Sequence, residues 1–288
     1  MRIAIVNSEK TRNGSPIMDL IGQLTRLPYA RGLWKRFPVG PLDLRMKWGI
    51  LPDYPPYAYG VYFAAQLASN LGIRRISALE LGVAGGRGLL ALEKIASEVE
   101  RRFGVGIDVV GFDTGEGMPD GVDYRDMQHV WRGGFYQMDA DKLRKRLTRA
   151  KLILGDVAHT AREWLDSAGV APIGFVAFDL DYYSSTAKAL RLFEGTATTH
   201  LPRVHCYFDD IAGPEFACMN DYVGELLAIG EFNAGHATRK ICQIRNLRCA
   251  RKRDENWYAQ IYAFHDFEHP LYTVNVAPNT DSWRQLPI

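Results

Sequence analysis

The sequence predicts an α/β fold with a doubly wound, mostly parallel sheet, and three observations support this prediction. Short apolar runs alternate with longer amphipathic stretches from Arg75 onward, which is typical of repeated strand–helix units. A glycine-rich turn joins the first apolar run to the helix after it. Two last apolar runs, Lys240–Leu247 and Trp257–Phe264, predict an antiparallel hairpin. The 288 residues, 47% of them hydrophobic, suffice for one large domain with a cap or for two small domains.

Five strands and their helices follow one another along the chain. The strands are predicted at Ile76–Leu81, Asp108–Phe112, Lys151–Leu154, Gly174–Phe178 and Val204–Phe208. The helices of this part are predicted at Gly86–Phe103, Ala140–Ala150, Thr160–Ser167, Ser184–Glu194 and Glu215–Ile229. An earlier segment, Ala58–Leu71, offers an apolar face and is followed by Gly72, so it is predicted to be a helix that ends there.

Residues 1–56 are predicted to form an N-terminal arm or lid, and residues 57–288 the main domain. Within the arm we expect a short strand at Arg2–Val6 and a helix at Met18–Leu27. The stretch Phe37–Tyr57 is rich in proline, glycine and aromatic residues, a composition that breaks regular structure. It is expected to wrap the surface, to act as a lid, or to join copies of the chain in a homo-oligomer.

Charge and cysteine usage limit the partners and the compartment. The formal net charge of +2 predicts neither nucleic-acid nor membrane binding, and the basic runs Lys142–Arg146 and Arg248–Arg253 are typical of solvated surface. Four cysteines without C-x-x-C pairing indicate neither a disulfide framework nor a zinc site. The apolar run at Met1–Val6 is too short for a signal peptide, and no segment approaches transmembrane length. We therefore expect a cytoplasmic protein that binds neither nucleic acid nor membranes.

The glycine-rich turn lies in the segment Ile76–Gly88. Its glycines are Gly82, Gly85, Gly86 and Gly88. A dinucleotide fold needs G-x-G-x-x-G, which seats a pyrophosphate on the helix N-terminus, whereas the spacing here is G-x-x-G-G-x-G. Because Glu80 would also bring negative charge toward a phosphate, a cationic sulfonium such as S-adenosylmethionine fits better. We expect Glu80, Gly82 and Gly86 to contact this cofactor; a tight strand–helix connection without a ligand is the alternative.

Aspartates stand at the ends of the second and third predicted strands. In an open α/β sheet the ligand lies at the carboxyl ends of the strands. Asp113, beside the glycine turn, is therefore placed to accept hydrogen bonds from ribose hydroxyls, and Asp156 is placed near an adenine. For each of them the alternative is a helix N-cap.

Four more aspartates follow the fourth and fifth strands: Asp179, Asp181, Asp209 and Asp210. These strands are predicted neighbours, so the carboxylates would repel one another unless they bind a cation or take up protons. Oxygen ligands select Mg²⁺, Ca²⁺ or Mn²⁺. We expect Asp179, Asp209 and Asp210 to bind the metal and Asp181 to act as general base toward a substrate hydroxyl. The alternative is that some of these acids cap helices or form ion pairs.

The loop after Asp113 extends to about residue 138, which is too long for a mere connector. Its segment Trp131–Tyr136 is expected to cover the cofactor or to pack within the loop. His159 is a weaker candidate for an adenine contact, whereas His205 is expected to pack in the core. Tyr182 and Tyr183 are expected to line an acceptor pocket or simply to pack.

Four segments, in order, resemble the macrocin-type O-methyltransferases, a family of class I S-adenosylmethionine-dependent methyltransferases. Glu80–Gly88, as E-L-G-x-x-x-G-x-G, resembles motif I of the class. Gly111–Pro119 resembles the segment D-[ST]-F-E-G-[LM]-P, and Phe178–Thr186 resembles D-G-D-x-Y-x-S-T. Phe208–Asp210 resembles the aspartate pair after strand five. Together they cover roughly residues 76–211.

The resemblance implies a Rossmann-like fold, S-adenosylmethionine as methyl donor, Mg²⁺, and transfer to a hydroxyl of a small acceptor such as a sugar or glycosylated natural product. It also implies Asp179, Asp209 and Asp210 as metal ligands and Asp181 as the base.

Two positions depart from the family pattern: Gly115 replaces an aromatic residue, and Leu180 replaces a glycine. They leave the identity of the acceptor open. Two other classes also remain open, an NAD(P)-dependent oxidoreductase on a similar sheet and a non-catalytic interaction protein that binds S-adenosylmethionine.

Overall fold

A computed structural model describes residues 28–36, 40–51, 53–245, 247 and 255–277. The chain divides into two compact units, Met1–Pro52 and Asp53–Ile288. The predicted strand Arg2–Val6, the predicted helix Met18–Leu27 and the basic run Arg248–Arg253 lie outside the described residues. The arm or lid at residues 1–56, and association of copies through it, stay predictions.

In the first unit the described residues form helices α1 (Pro28–Arg36) and α2 (Leu42–Trp48). Helix α2 lies inside the stretch that was predicted to be irregular, so that prediction is wrong there. Pro41 precedes the first helical residue, and Gly49 ends the helix in a left-handed conformation with φ 65°. The proline and the glycine therefore stand at the two ends of a short helix, where each is tolerated, instead of preventing one.

The second unit contains the alternating elements. Its helices are α3 (Pro55–Asn70), α4 (Arg87–Phe103), α5 (Ala140–Arg144), α6 (Val157–Asp166), α7 (Tyr183–Ala189) and α8 (Gly224–Gly235). Its strands are β1 (Arg75–Leu81), β2 (Gly106–Asp113), β3 (Lys151–Leu154), β4 (Ile173–Phe178), β5 (His200–Phe208), β6 (Arg239–Gln243) and β7 (Ile261–Asp266). Short 3₁₀ helices occupy Tyr124–Asp126, Leu190–Glu194, Glu215–Ala217 and Asn256–Gln260.

The seven strands form one sheet in the order β3-β2-β1-β4-β5-β7-β6. Strands β1 to β5 are parallel, and β7 pairs antiparallel with both β5 and β6. The predicted Rossmann-like, doubly wound sheet with an antiparallel C-terminal hairpin is therefore confirmed. The chain runs outward from β1 to β3 and then returns to β4, so the switch point of the topology lies between β1 and β4.

Two groups of helices cover the sheet. Helices α3 and α4 pack against each other and against the central strands, while α6, α7 and α8 pack in succession. Strand β4 is buried along its whole length, as a parallel strand covered on both faces should be. At Gly60 an added Cβ would lie 2.3 Å from ring carbons of Phe175, so glycine lets α3 approach β4 closely. Within the described residues, no helix combines the length and hydropathy needed to cross a membrane.

Two predicted helices differ from the structure. The helix predicted at Ala140–Ala150 ends at Arg144, where α5 gives way to a turn. The helix predicted at Glu215–Ile229 is wrong in its first half, because only a 3₁₀ turn forms at Glu215–Ala217 and α8 starts later. Cys218 there has φ 49°, a left-handed conformation that interrupts a helix.

Candidate active site

A cavity of about 490 Å³ opens at the carboxyl ends of the parallel strands. Each of the five strands contributes residues to its wall at or just after the strand end: Gly82, Asp113, Gly155, Asp179 and Asp209. This is where a doubly wound sheet places its ligand. The volume lies in the range of small-molecule sites, which is about 300–1,000 Å³.

Three carboxylates meet in this cavity, those of Asp179, Asp209 and Asp210. One oxygen of each lies within 4.8 Å of the others. The register of the sheet explains the meeting, because Phe178 of β4 pairs with Phe208 of β5 and the next residues are the aspartates. The Asp209 N–H also donates to the Phe178 carbonyl at 3.0 Å, which ties the two strand ends together. The prediction that these acids converge therefore agrees with the geometry.

The cluster is electrostatically unfavourable without a counter-charge. Burial, followed by the charges of Asp210 and Asp209, raises the pKa of Asp179 well above its ordinary value. Burial, followed by the charges of Asp181 and Asp209, does the same to the pKa of Asp210. Burial and the charge of Asp179 raise the pKa of Asp181 to about 7. A divalent cation would remove the cause of the mutual repulsion.

The donor set fits a hard cation. All three groups are carboxylates, the ligands that Mg²⁺, Ca²⁺ and Mn²⁺ prefer. Within the described part of the chain, no N–H or O–H donates to the half-buried carboxylate of Asp179. Its oxygens therefore remain available for a metal ion. No histidine or cysteine belongs to the described cluster, which argues against a zinc site.

Asp181 sits at a bend between β4 and α7. Its φ is 59°, a left-handed conformation that aspartate adopts more readily than most residues. The Asp181 N–H donates to Oδ2 of Asp210 at 2.9 Å, so the bend is held by one of the clustered acids. Asp181 lines the cavity, as does Leu180 before it. The side chain predicted to be the base is therefore placed beside the three clustered carboxylates.

The carboxylate of Asp113 accepts hydrogen bonds from backbone N–H groups around it. Its Oδ2 accepts the N–H groups of Val83 and Ala84, each at 2.8 Å. Its Oδ1 accepts the N–H of Gly115 at 2.7 Å. The carboxylate thus holds the glycine turn against the start of the long loop. Because each oxygen has two lone pairs, Oδ1 keeps capacity for one ribose hydroxyl.

The glycines of the turn are needed mainly because protein atoms crowd them. A Cβ at Gly82 would lie 1.8 Å from the carbonyl oxygen of Asp179, and φ at Gly82 is 84°. A Cβ at Gly86 would lie 2.2 Å from a methyl group of Leu143, and one at Gly88 would lie 1.8 Å from Glu80. Contact with a cofactor, which the sequence predicts for Gly82 and Gly86, is therefore not the only reason for glycine in this turn.

Glu80 and Gly86 do not reach the cavity wall, unlike the other predicted cofactor residues Gly82, Asp113 and Asp156. Glu80 is 2% exposed and accepts a 2.8 Å hydrogen bond from the hydroxyl of Tyr57 at Oε1. Burial raises the pKa of Glu80 well above its ordinary value, against the lowering effect of the Tyr57 hydroxyl. Glu80 thus lies behind the turn and braces it.

Asp156 both lines the cavity and caps a helix. Its Oδ1 accepts the N–H of Ala158 at 2.8 Å in the first turn of α6. Its Oδ2 lies 3.6 Å from Nζ of Lys188. The N-cap alternative considered for this residue is therefore present, and an adenine contact remains a proposal.

The long loop is built as a fixed wall. The N–H of Met118 donates to the carbonyl of Phe135, and the N–H of Gly134 donates to the carbonyl of Met118, each at 2.8 Å. Trp131 and Tyr136 line the cavity, and the expected contact of this segment with a cofactor stays a prediction.

The weaker candidates largely pack elsewhere. The ring of His205 stacks on Phe63, with centroids 6.0 Å apart, in agreement with its predicted place in the core. His159 is exposed and does not line the cavity. Tyr182 is buried without lining it, and Tyr183 donates to Glu231 at 2.5 Å. Neither tyrosine therefore forms the wall of the described cavity.

No protein-family model and no curated protein matches the sequence. Among solved structures, the chain is similar to the calicheamicin methyltransferase CalS11, with 19% identity over 88% of this chain and 94% of that chain and a TM-score of 0.49. It is also similar to the O-methyltransferase TomG from Streptomyces achromogenes in complex with SAM, with 15% identity over 71% and 77% of the two chains and a TM-score of 0.34. These solved structures are methyltransferases.

The sequence did not indicate two buried acids that support the site. Glu225 in the first turn of α8 accepts the N–H of Asp210 at 3.0 Å. Asp126 in the long loop accepts the N–H and the hydroxyl of Ser184, at 2.8 and 2.9 Å, at the start of α7. Both are fully buried. An acid in a loop or on a helix looks like solvated surface in the sequence, so nothing there distinguishes these two from their exposed neighbours.

Proposed function

We propose that the protein is a metal-dependent O-methyltransferase that transfers a methyl group from S-adenosylmethionine to a hydroxyl of a small acceptor. One observation supports the proposal above all: the glycine turn after β1 and the carboxylates of Asp179, Asp209 and Asp210 line the same cavity. A methyl donor and an activated hydroxyl must meet in one cavity for the transfer. The sequence resemblance indicates a sugar or a glycosylated natural product as acceptor.

The charge of the cavity favours a cationic methyl donor. Seven aspartates line it: Asp113, Asp120, Asp156, Asp179, Asp181, Asp209 and Asp210. Among the described lining residues, Lys188 is the only lysine or arginine, and it lies 3.6 Å from Asp156. A sulfonium is attracted to such a wall, whereas the pyrophosphate of NAD(P) would be repelled. An oxidoreductase is therefore the weaker alternative.

The cofactor side of the cavity is assigned to residues at the ends of β1 to β3. Gly82 lines the cavity from the turn, Asp113 has acceptor capacity for a ribose hydroxyl, and Asp156 lies farther along the same edge. Glu80 and Gly86 support this turn from behind.

The chemistry is assigned to the ends of β4 and β5. A divalent cation, when bound by Asp179, Asp209 and Asp210, supplies positive charge that lowers the pKa of a hydroxyl beside it. Asp181 accepts the proton of the acceptor hydroxyl as general base. The hydroxyl oxygen forms its new bond to the methyl carbon, and the electrons of the carbon–sulfur bond remain on sulfur. The bend at Asp181, fixed by Asp210, keeps the base in place for this transfer.

The substitution Asp181→Asn separates binding from turnover. We expect the affinity for S-adenosylmethionine, measured by calorimetry, to stay within about twofold, because the side chain lies beyond the cofactor turn. Release of S-adenosylhomocysteine with a panel of glycosides should fall by about 10²–10⁴-fold, the usual contribution of a general base. Asp166→Asn at the exposed end of α6 is the matched control and should change neither quantity.

Other outcomes would favour the alternatives. Turnover that is indifferent to a chelator would remove the metal from the mechanism. Tight binding of NAD(P) without binding of S-adenosylmethionine would indicate an oxidoreductase. Binding of S-adenosylmethionine together with no measurable effect of Asp181→Asn on any function would indicate a non-catalytic protein.

A further inference from the structure

The C-terminal hairpin reaches the proposed metal site. Strand β7 pairs antiparallel with β5, and in this register Ile261 lies opposite Tyr207. Gln260, which precedes β7, is therefore carried to the end of β5, where Asp209 follows the strand. The hairpin lies outside the segments that carry the sequence resemblance, so only its contacts in the structure indicate a role for it.

Two side chains, those of Tyr207 and Gln260, donate hydrogen bonds to Asp209. Tyr207 donates its phenolic hydrogen to Oδ1 of Asp209. Gln260 donates from Nε2 to the backbone carbonyl of Asp209 at 2.8 Å and lies 3.5 Å from Oδ1. The carboxylate and the backbone of the same residue are thus fixed from β5 and from the 3₁₀ turn that leads into β7.

Tyr207 is itself rigidly placed. It is 8% exposed, and its ring meets the ring of Tyr57 edge to face, with centroids 5.7 Å apart. Tyr207 and Asp209 are two residues apart, so their side chains leave the chain on the same side when the backbone is extended. A hydroxyl fixed in this way restricts which oxygen of the aspartate can face the cavity.

We propose that Tyr207 and Gln260 are positioning residues of the divalent-cation site, which makes the C-terminal hairpin a structural part of it. Oδ1 of Asp209 accepts from the phenol and faces the Gln260 amide, so Oδ2 is the oxygen with both lone pairs free to bind the metal. Such outer contacts fix the orientation of a ligating carboxylate and strengthen metal binding. This inference rests on the proposed function, because it requires that Asp209 binds a cation.

The test compares two buried tyrosines on neighbouring strands. Tyr207→Phe keeps the packed ring and removes the donor. Tyr262→Phe on β7 is the matched control, since Tyr262 is 9% exposed, packs on Phe208 and donates to none of the clustered acids. Mn²⁺ binding to metal-free protein, without cofactor or acceptor, is measured by the loss of the free-ion electron paramagnetic resonance signal.

We expect Tyr207→Phe to weaken Mn²⁺ binding about 10-fold, at the lower end of the effects of outer contacts on metal affinity. Gln260→Leu should weaken it less, because its stronger hydrogen bond is to the backbone. The control should stay within about twofold of the wild type. Thermal unfolding of the metal-free variants checks that each is folded, and the signal of bound Mn²⁺ at saturation should show the site refilled in Tyr207→Phe.

The outcomes separate the two proposals. A wild-type protein that binds no Mn²⁺ would overturn the metal part of the proposed function. A wild type that binds Mn²⁺, with Tyr207→Phe and Gln260→Leu binding it equally well, would overturn the positioning role and leave the proposed function intact. If Tyr207→Phe does not fold, Gln260→Leu alone decides: unchanged affinity contradicts the inference, and weaker affinity supports it.

Discussion

The acids at the end of β2 and those at the ends of β4 and β5 occupy the same edge of the sheet but differ in their partners. Asp113 accepts three backbone N–H groups from the glycine turn and the loop beside it. Asp179 has no donor among the residues that the structure describes, and it faces the carboxylates of Asp209 and Asp210. Asp113 is therefore satisfied by the protein. Asp179 is not, and the repulsion among the three clustered carboxylates remains until a cation or protons relieve it.

This difference separates structural acids from acids that need a ligand. Hydrogen bonds to a carboxylate stabilise the fold, so the three bonds to Asp113 should hold the turn without any bound molecule. Partly buried carboxylates that lie close together cost stability until a cation or protons neutralise them. All four acids stand at strand ends, so their position does not distinguish the two kinds. The hydrogen-bond donors around each carboxylate do.

The largest expected effect comes from Asp179→Asn. We expect kcat/KM for methyl transfer to fall by about 10³-fold, because stabilisation by a bound metal is worth several kcal/mol. In the presence of a chelator the variant should be at least as stable as the wild type, since one repelling charge has been removed. Steady-state kinetics and denaturant unfolding check the two expectations.

Asp166→Asn, at an exposed ion pair on α6, provides the control and should leave kinetics and stability unchanged. A clear loss of stability in metal-free Asp179→Asn would contradict the comparison, because it would mean that this carboxylate is satisfied within the protein.

Asp113→Asn should show the opposite pattern. We expect a loss of about 2 kcal/mol in the free energy of unfolding in chelator, because hydrogen bonds to a charged acceptor are lost or weakened. Binding of S-adenosylmethionine should also weaken, since Val83 and Ala84 of the turn lose their common acceptor. Denaturant unfolding and calorimetry measure both. A variant as stable as the wild type would show that the three hydrogen bonds do not hold the turn.

Glu80→Gln should give the smallest effect and one that depends on pH. Glu80 is intermediate between Asp113 and Asp179. Tyr57 donates to its Oε1, and no donor among the residues that the structure describes reaches its Oε2. Burial raises its pKa in the folded state, so the native protein binds this proton more tightly than the unfolded chain does. The binding of this proton contributes to the free energy of unfolding at low pH. The contribution is lost as the pH rises above the ordinary pKa of about 4.3 and then through the raised pKa of the folded state.

Glutamine is neutral at all pH values and keeps the acceptor for Tyr57. The stability of Glu80→Gln relative to the wild type should therefore increase between about pH 5 and about pH 8. Unfolding curves at both pH values measure this difference, with the exposed Glu163→Gln as control. A difference that does not change with pH would mean that Glu80 is ionised in the folded protein throughout this range.

The alternating strands and helices of the sheet, and the aspartates at the strand ends, could be predicted from the sequence. Strand β3 was predicted with its observed bounds, since an apolar run ending at Gly155 has little freedom in length. The meeting of Asp179 with Asp209 also followed from neighbouring strands, because residues after paired strand ends must be close.

The supporting contacts could not be predicted in the same way. The donors to Asp209 come from Tyr207 on its own strand and from Gln260, which is distant in sequence and depends on the register of the antiparallel hairpin. The helix predicted from Glu215 was wrong because its apolar pattern gave no sign of the left-handed Cys218. Contacts made by single polar side chains across the sheet leave no periodic pattern in the sequence.

The most direct test of the central claim is a crystal structure grown with Mn²⁺ and S-adenosylhomocysteine and measured at the manganese absorption edge. We expect one anomalous peak within about 2.5 Å of oxygens of Asp179, Asp209 and Asp210, in the cavity that also holds the nucleoside. A nucleoside bound at the glycine turn with no anomalous peak between β4 and β5, or with these side chains directed into separate spaces, would contradict the shared metal site.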